Sequence, residues 1–347
     1  NPDGPLGFVF AFAGSGRVAI IFFSALLAVL YHLGIMQIII WLLARMMSWL
    51  MGVSGAESLA MAANIFAGQT EAPLAIRPYL EKLTMSELNA MMVGGFATVA
   101  GSVLAFYMGI VGRDYAPHLL TASVMSAPAA FLIAKIMLPE SQASETGGQV
   151  PFKIQRNASN VLEAATIGTQ EGLKLWLNVI AMLIAFIALV GLINWPLNAI
   201  GEYVLNPMFS VLDWPTYSDD QPLSLQLIFG TLLAPIAWVI GIDGWQDCQW
   251  LGTLLGIKLA VSELVVFQQL MAVDGPNLGF SDPRNAAIAT YAVCGFANFA
   301  SIGIQIGGIS SLVPERRADL AKLATRAMLG GAFASWMTAT VAGMFIE

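Results

Sequence analysis

Residues 175–193 read LWLNVIAMLIAFIALVGLI, a run without a single charged side chain. A helix rises 1.5 Å per residue, so a helix of this length crosses the roughly 30 Å hydrocarbon core of a bilayer. Comparable apolar runs occur at 18–43, 91–111, 119–133 and 327–346. These runs are too long for strands, and they predict a polytopic membrane protein built of helices.

The composition leads to the same conclusion. The chain is 57% hydrophobic and only 11% charged, whereas soluble domains carry about 25% charged residues. Its net charge of −7 comes without a basic tract, so we expect the lipid bilayer as a partner and no nucleic acid. Cys248 and Cys294 lie in apolar surroundings and imply no disulfide framework.

Motifs that would indicate an enzyme are missing from the sequence. It contains no HExxH motif, no paired-cysteine metal site and no phosphate-binding loop. Its two histidines, His32 and His118, pair with no plausible serine or cysteine nucleophile. We therefore predict that the protein is not an enzyme and has no organic cofactor.

Two short motifs, called the GFA motifs below, reveal an internal repeat. Residues 95–100 read GFATVA and residues 295–300 read GFANFA, and each follows short apolar pieces around a polar tip. Internal repeats with broken helices are typical of secondary transporters, which bind substrate at the repeat interface. We predict two repeats, expected to be inverted, within a transport domain. The first repeat comprises a re-entrant hairpin at 54–80, an interrupted helix at 85–110 and a span at 117–138. The second comprises a hairpin at about 223–272 with its tip at 241–247, an interrupted helix at 285–313 and a final span at 327–346.

The remaining segments are assigned to a scaffold and to the membrane surface. We predict a scaffold helix within 1–34 and a scaffold span with a loop in 157–222. Residues 35–53 carry Trp and Arg at intervals of four, which favours an interfacial helix. Basic residues prefer the cytoplasmic side, so the loop before the last span should be inside and the C-terminus outside; this loop carries Arg316, Arg317, Lys322 and Arg326.

Two carboxylates, Glu71 and Glu263, lie inside apolar stretches beside predicted helix breaks. A charge at membrane depth costs at least a few kcal/mol, so such residues usually serve function and face a cavity. The structural alternative is a partner for a buried cation or for a helix end. Lys258 could pair with Glu263 in that way, although a spacing of five residues is poor for a helical pair. We interpret both acids as functional because both lie near breaks.

Neutral polar side chains cluster at the same breaks. Amides, hydroxyls and freed backbone carbonyls can bind an uncharged polar solute or a small hard cation. Nearby phenylalanines could stack on a flat ring, although each one alone is more often simple packing. The polar residues are Asn64, Gln69, Thr70, Asn298 and Ser301, and the aromatic residues are Phe66, Phe296 and Phe299.

At these residues the chain resembles the concentrative nucleoside transporters. Residues 64–74, NIFAGQTEAPL, resemble the tip of that family's first hairpin, and 291–308, YAVCGFANFASIGIQIGG, resemble its late interrupted helix. Residues 256–267, GIKLAVSELVVF, resemble its signature, and SVMSAPA at 123–129 also fits. The likeness covers essentially the whole chain.

The chain departs from the family pattern in two respects. Ser262 stands where the family usually has Asn, and Leu264 where it has Phe, so the packing around Glu263 is expected to differ. Family members also carry further scaffold spans before the segment that begins here near Phe8. The resemblance therefore implies a processed, truncated or incompletely represented chain.

The resemblance implies an elevator-type transporter that forms a homotrimer in a bacterial inner membrane and imports nucleosides with sodium as the coupling ion. Carried over residue by residue, the base side would be bound by Gln69, Thr70 and Glu71, with Val103 and Phe296 packed near the base. The ribose hydroxyls would be held by Glu263, Asn298 and Ser301. Sodium would be bound by Asn64, Thr98 and the carbonyls of Ala67 and Val99.

Two alternatives remain open. A proton-coupled symporter would use Glu71 or Glu263 as proton carrier, although neutral oxygen donors at Asn64 and Thr98 favour sodium. A channel or receptor with the same fold would not accumulate solute. The resemblance further implies a permissive purine-plus-pyrimidine site, from the residues at Gly68, Gln69, Thr98 and Val99.

Overall fold

The computed structural model describes residues 17–112, 114–144, 147, 158–207, 222–273 and 277–346. These residues form helices and contain no strand. The parts of the predicted scaffold segments at 1–16 and 208–221 lie outside the described residues.

The first half begins with two helices that meet at Gly34, whose φ of 83° is accessible to glycine. The chain bends by 78° between them. Capping boxes start the two helices that follow, where Ser54 pairs with Glu57 and Thr84 with Glu87. The elements are α1 (Arg17–His32), α2 (Ile35–Met51), α3 (Gly55–Asn64), a 3₁₀ segment (Ala72–Lys82), α4 (Met85–Ala97), α5 (Gly101–Val111) and α6 (Ala116–Met137).

The second half repeats this order. In each half, two helices precede a hairpin-like pair, an interrupted pair and a final helix. The elements are α7 (Val161–Ile200) with a π-helical end (Gly201–Leu205), α8 (Leu225–Ile240), α9 (Trp245–Ala260), α10 (Glu263–Ala272), α11 (Pro283–Val293), α12 (Phe299–Ser310), a short 3₁₀ turn (Pro314–Arg316) and α13 (Arg317–Gly343).

Helix boundaries differ from the prediction at two places. The range 223–272 contains three helices instead of two arms, because the polar stretch at 241–247 separates α8 from α9 and a second break follows at Val261–Ser262. Hydropathy hides this second break, since the Ser262 hydroxyl caps α10 within an apolar run. The final helix begins at Arg317 rather than at 327, because its charged first turns do not resemble a span.

Some helices in the described part of the chain could span a membrane. Met85–Met108 and Ala116–Met137 are each long and apolar enough to cross a bilayer. Two bent pairs, Ile21–His32 with Ile35–Met51 and Leu225–Ile240 with Trp245–Ala260, raise the number to four if each pair counts as one span.

Two buried hydrophobic clusters organise the interior. One contains α3, α4 and much of α13, and the other contains α5 with α9, α10 and α11. The interrupted helix α4–α5 therefore passes from one cluster into the other, and its break at residues 98–100 lies where they meet. Phe296, in the break between α11 and α12, packs against the second cluster, while Ala297 belongs to the first.

Candidate binding site

The two GFA motifs meet backbone to backbone. Gly295 has a φ of +103°, and a Cβ atom there would lie 2.7 Å from the carbonyl oxygen of Ala97. The amide of Phe296 donates to the carbonyl of Thr98 at 3.3 Å. Only glycine permits this approach. The breaks of both interrupted helices are thus in contact at the interface between the repeats.

Glu263 is the centre of the first polar cluster at this interface. It opens α10 and is only 4% exposed. One carboxylate oxygen accepts a hydrogen bond from the Tyr107 hydroxyl at 3.0 Å, and the other accepts from the Asn298 amide at 2.9 Å. The Asn298 oxygen in turn accepts from the Ser301 amide at 2.8 Å and caps α12. The structure therefore brings Glu263, Asn298 and Ser301 together.

Tyr107 is a site residue that sequence reasoning missed. It is fully buried, and its ring stacks on Phe267 of α10 with centroids 4.1 Å apart. The only signal in the sequence is one hydroxyl-bearing ring in the apolar run after the first break. That signal is weak, because a tyrosine in a span is usually read as packing.

The tip of the first hairpin contacts α12. Gln305 donates from its side-chain amide to the Gln69 oxygen at 3.1 Å and to the Met92 carbonyl at 3.0 Å. Thr70 packs on Gly308, where a Cβ atom would lie 2.4 Å from the threonine methyl group. Gln305, fully buried and not identified from the sequence, therefore positions Gln69.

Glu71 has a different environment from the other predicted residues. Its carboxylate accepts from the Gly68 amide at 3.2 Å, and the residue is exposed. It lines a cavity of about 490 Å³ between the first hairpin and helices α1 and α7. Tyr31 and Glu171 line the same cavity. Val103 and Phe296 belong to, or pack against, the hydrophobic cluster around α5.

The residues predicted to bind sodium lie at the contact between the hairpin tip and the first break. Asn64 is 1% exposed, and its side-chain oxygen has no hydrogen-bond partner among the described residues. The Gly101 amide donates to the Phe66 carbonyl at 2.9 Å, which holds the tip against the break. Ala67, Thr98 and Val99 are buried there as well.

This arrangement suits a small cation. A buried amide oxygen without a donor is costly, and hard cations take oxygen ligands of this kind. The Thr98 hydroxyl donates to the Gly94 carbonyl at 2.8 Å, which leaves its oxygen free to accept or ligate.

Lys258 does not serve as a hydrogen-bonded partner of Glu263. Its fully buried ammonium group donates to the carbonyls of Ala292 at 3.0 Å and Cys294 at 2.8 Å. These carbonyls are freed where α11 ends, and a cation there also complements the helix dipole. Lys258 thus joins α9 to the second break.

Two sequence-family models match the chain. Residues 18–114 match one described as "Nucleoside recognition". Residues 118–343 match one described as "Na+ dependent nucleoside transporter C-terminus".

Individual proteins show the same likeness. The chain is 43% identical to an uncharacterized transporter of Haemophilus influenzae, with 100% of this chain and 79% of that protein aligned. It is 42% identical to sodium/nucleoside cotransporter 1 of Rattus norvegicus over 94% of this chain and 49% of the relative. The chain thus spans about half the length of that mammalian cotransporter.

Solved structures resemble the fold closely. A structure of CNTnw in an inward-facing substrate-bound state has a TM-score of 0.85 and 38% identity, covering 99% of this chain and 78% of that one. A variant of CNTnw in an outward-facing state has a TM-score of 0.82 at 38% identity, covering 96% and 75%.

Proposed function

The chain belongs to the family of sodium-dependent, concentrative nucleoside transporters, and from this membership we propose that it is a symporter whose import of nucleosides is driven by a sodium gradient. The fold class predicted from the sequence is confirmed: an all-α polytopic membrane protein of elevator type with two re-entrant hairpins and two interrupted helices. The protein is a transporter and not an enzyme, as predicted.

The buried carboxylate of Glu263 carries the proposal for the substrate. An ionised carboxylate has about four acceptor positions, and Tyr107 and Asn298 each supply a donor to one oxygen. The remaining positions match the two vicinal hydroxyls of ribose. The N-termini of α10 and α12 both lie at this point and favour negative charge.

The opposite side of the proposed site binds the base. Gln69 and Thr70 would offer an amide and a hydroxyl to its polar edge, and Glu71, which lines the cavity beside the first hairpin, would join them. Val103 and Phe296 supply apolar surface to the ring. Amide and hydroxyl groups accept and donate alike, so the proposal extends to purine and pyrimidine nucleosides.

Sodium is the proposed coupling ion. Asn64, Thr98 and the carbonyls of Ala67 and Val99 would bind it, and the unpartnered Asn64 oxygen supports this assignment. An ion bound there would tie the first hairpin to the first break. Sodium entering down its gradient supplies the free energy for accumulation.

We further propose the arrangement expected from the sequence for the whole protein. It comprises a homotrimeric scaffold and a moving transport domain in a bacterial inner membrane, with the C-terminus outside. Residues 54–138 and 223–347 would form the transport domain, and 35–53 an interfacial helix.

Uptake of radiolabelled uridine and adenosine into proteoliposomes tests the proposal. We expect accumulation above the external concentration that requires an inward sodium gradient. Glu263→Gln should lower uptake by at least about tenfold, because a hydrogen bond to a charged group contributes about 1.5–3 kcal/mol. Glu202→Gln, at an exposed position, is the matched control.

Each alternative gives a different result in this assay. Accumulation driven equally well by a proton gradient without sodium would show that the coupling ion is the proton. Equilibration without accumulation would indicate a channel. Failure of a folded trimer to move either nucleoside would refute the proposed function.

A further inference from the structure

Helix α5 joins the two proposed ligand sites. Its first residue, Gly101, directly follows the break that contains Thr98 and Val99, where sodium is proposed to bind. Tyr107 lies about 9 Å further along the helix, at 1.5 Å per residue. There its hydroxyl contacts Glu263, the proposed ribose ligand.

The beginning of α5 is in direct contact with the first hairpin. The Gly101 amide donates to the Phe66 carbonyl at 2.9 Å, and a Cβ atom on Gly101 would lie 3.0 Å from that same oxygen. An ion that draws Asn64 and Ala67 toward this break therefore also sets the position of α5.

Further along α5, the Tyr107 side chain is held between Phe267 and Glu263. Tyr107 is fully buried, stacks on Phe267 at 4.1 Å with an interplanar angle of 17°, and donates to Glu263 at 3.0 Å. Glu263 and Phe267 are four residues apart on α10 and share one face of that helix. A shift of α5 is thus transmitted to the Glu263 carboxylate through one side chain.

We propose that Tyr107 is the positioning residue that couples sodium binding to nucleoside binding. With sodium bound, α5 holds the Tyr107 hydroxyl against one Glu263 oxygen, which leaves the carboxylate oriented for the ribose hydroxyls. Without sodium, α5 is released and that orientation is lost. In this proposal Tyr107 acts on the nucleoside through Glu263. This inference rests on the proposed sodium-coupled function.

A second connection between the sites makes the proposal testable. The Phe296 amide donates to the Thr98 carbonyl at 3.3 Å and so links the two breaks through the backbone. If coupling passes through this backbone contact, removal of the Tyr107 hydroxyl will leave the effect of sodium on uridine binding unchanged. The two routes therefore give opposite results.

The measurement is the dissociation constant of uridine by calorimetry on the purified full chain, in sodium and in choline. For wild type we expect uridine to bind at least about tenfold more tightly in sodium, within the range typical of coupled sites. Tyr107→Phe keeps the stacked ring and removes only the hydroxyl. In this variant the ratio of the dissociation constant in choline to that in sodium should fall to about threefold or less.

Tyr291→Phe is the matched control, because Tyr291 is also buried and its hydroxyl lies 3.3 Å from His118, away from Glu263. It should keep the wild-type ratio. Phe267→Leu keeps the hydroxyl but removes the stacked ring, and an intermediate ratio is expected. Coupling is reciprocal, so sodium affinity measured with and without uridine should change by the same factor in each variant.

Two results would overturn the inference. Weaker binding of uridine to Tyr107→Phe in both salts with an unchanged ratio would make Tyr107 a local support only, and would leave the proposed function standing. An absence of any sodium effect in wild type would remove the proposed sodium coupling itself, together with the role of Tyr107.

Discussion

Glycine residues determine how closely the first hairpin approaches α12. A Cβ atom on Gly95 would lie 2.5 Å from the Gln305 amide nitrogen and 3.0 Å from the Gln69 Cβ. Gly308 accommodates Thr70 in the same way. Gly95 and Gly308 leave the space in which Gln69 and Thr70 reach the repeat interface. The proposed base site therefore depends on these two glycines, which have no side chain to bind the base.

Gly95→Ala should weaken nucleoside binding while the protein still folds. The added methyl group displaces the Gln305–Gln69 pair, and overpacking of this kind costs about 1–3 kcal/mol. We expect the KM of uridine uptake to rise by about tenfold.

Gly307→Ala is the control for this substitution, because a Cβ atom there meets nothing within 4 Å. It lies on α12 close to Gly308. An unchanged KM in Gly95→Ala, or an equal rise in both variants, would contradict the role assigned to Gly95.

Small residues allow helices α1 and α7 to pack closely. Helices α1 and α7 form a close pair in which Gly168 and Gly172 face α1. A Cβ atom on Gly168 would lie 2.6 Å from the Cβ of Ala28 and from the Ser24 carbonyl oxygen. Association of helices in lipid relies on such close backbone approach. This pair also forms one wall of the cavity lined by Glu71.

Gly168→Leu should separate α1 from α7 and lower the melting temperature in detergent by at least a few degrees, since the side chain has no space. Gly191→Leu on the same helix is the control, because a Cβ atom there meets nothing within 4 Å. Equal melting temperatures for the two variants would show that the pair is not closely packed in solution.

The orientation of the whole molecule in the membrane is a prediction that rests on the final helix. Helix α13 has 27 residues, about 40 Å at 1.5 Å per residue, which is enough to cross the bilayer. Its basic first turns follow Arg316, which also donates to the Glu81 and Leu83 carbonyls at the end of the first hairpin. The positive residues favour an internal start and an external end.

Cysteine labelling in intact cells tests this direction. Phe345, 81% exposed, and Lys322, also exposed, are replaced one at a time by cysteine. Phe345→Cys should react with a membrane-impermeant maleimide from outside, whereas Lys322→Cys should react only after permeabilisation. The native Cys248 and Cys294 are buried and should give little background. The reverse pattern of labelling would invert the proposed topology.

Much of the molecule could be predicted from the sequence because its signals are local. Long apolar runs identify spans, and polar residues or glycines inside such runs stand out, which is why Glu263, Asn298 and the first break were found. The interrupted helix predicted at 85–110 appears as α4 and α5 with a gap at residues 98–100. The break at Val261–Ser262 was not separated from the earlier turn, because a single serine in an apolar run is as often found inside a helix as at its end.

The amino-acid sequence alone determined that this is a helical membrane protein with repeated breaks and which acids and amides lie beside them, since solvation energy and helix geometry act within a few residues. The partners of those groups depended on the packed structure. Tyr107 and Glu263 are 156 residues apart, and Gln69 and Gln305 are 236 apart. Such pairs form only when two repeats bury their breaks against each other, because the backbone and side-chain groups freed there have no water to bind and must satisfy one another.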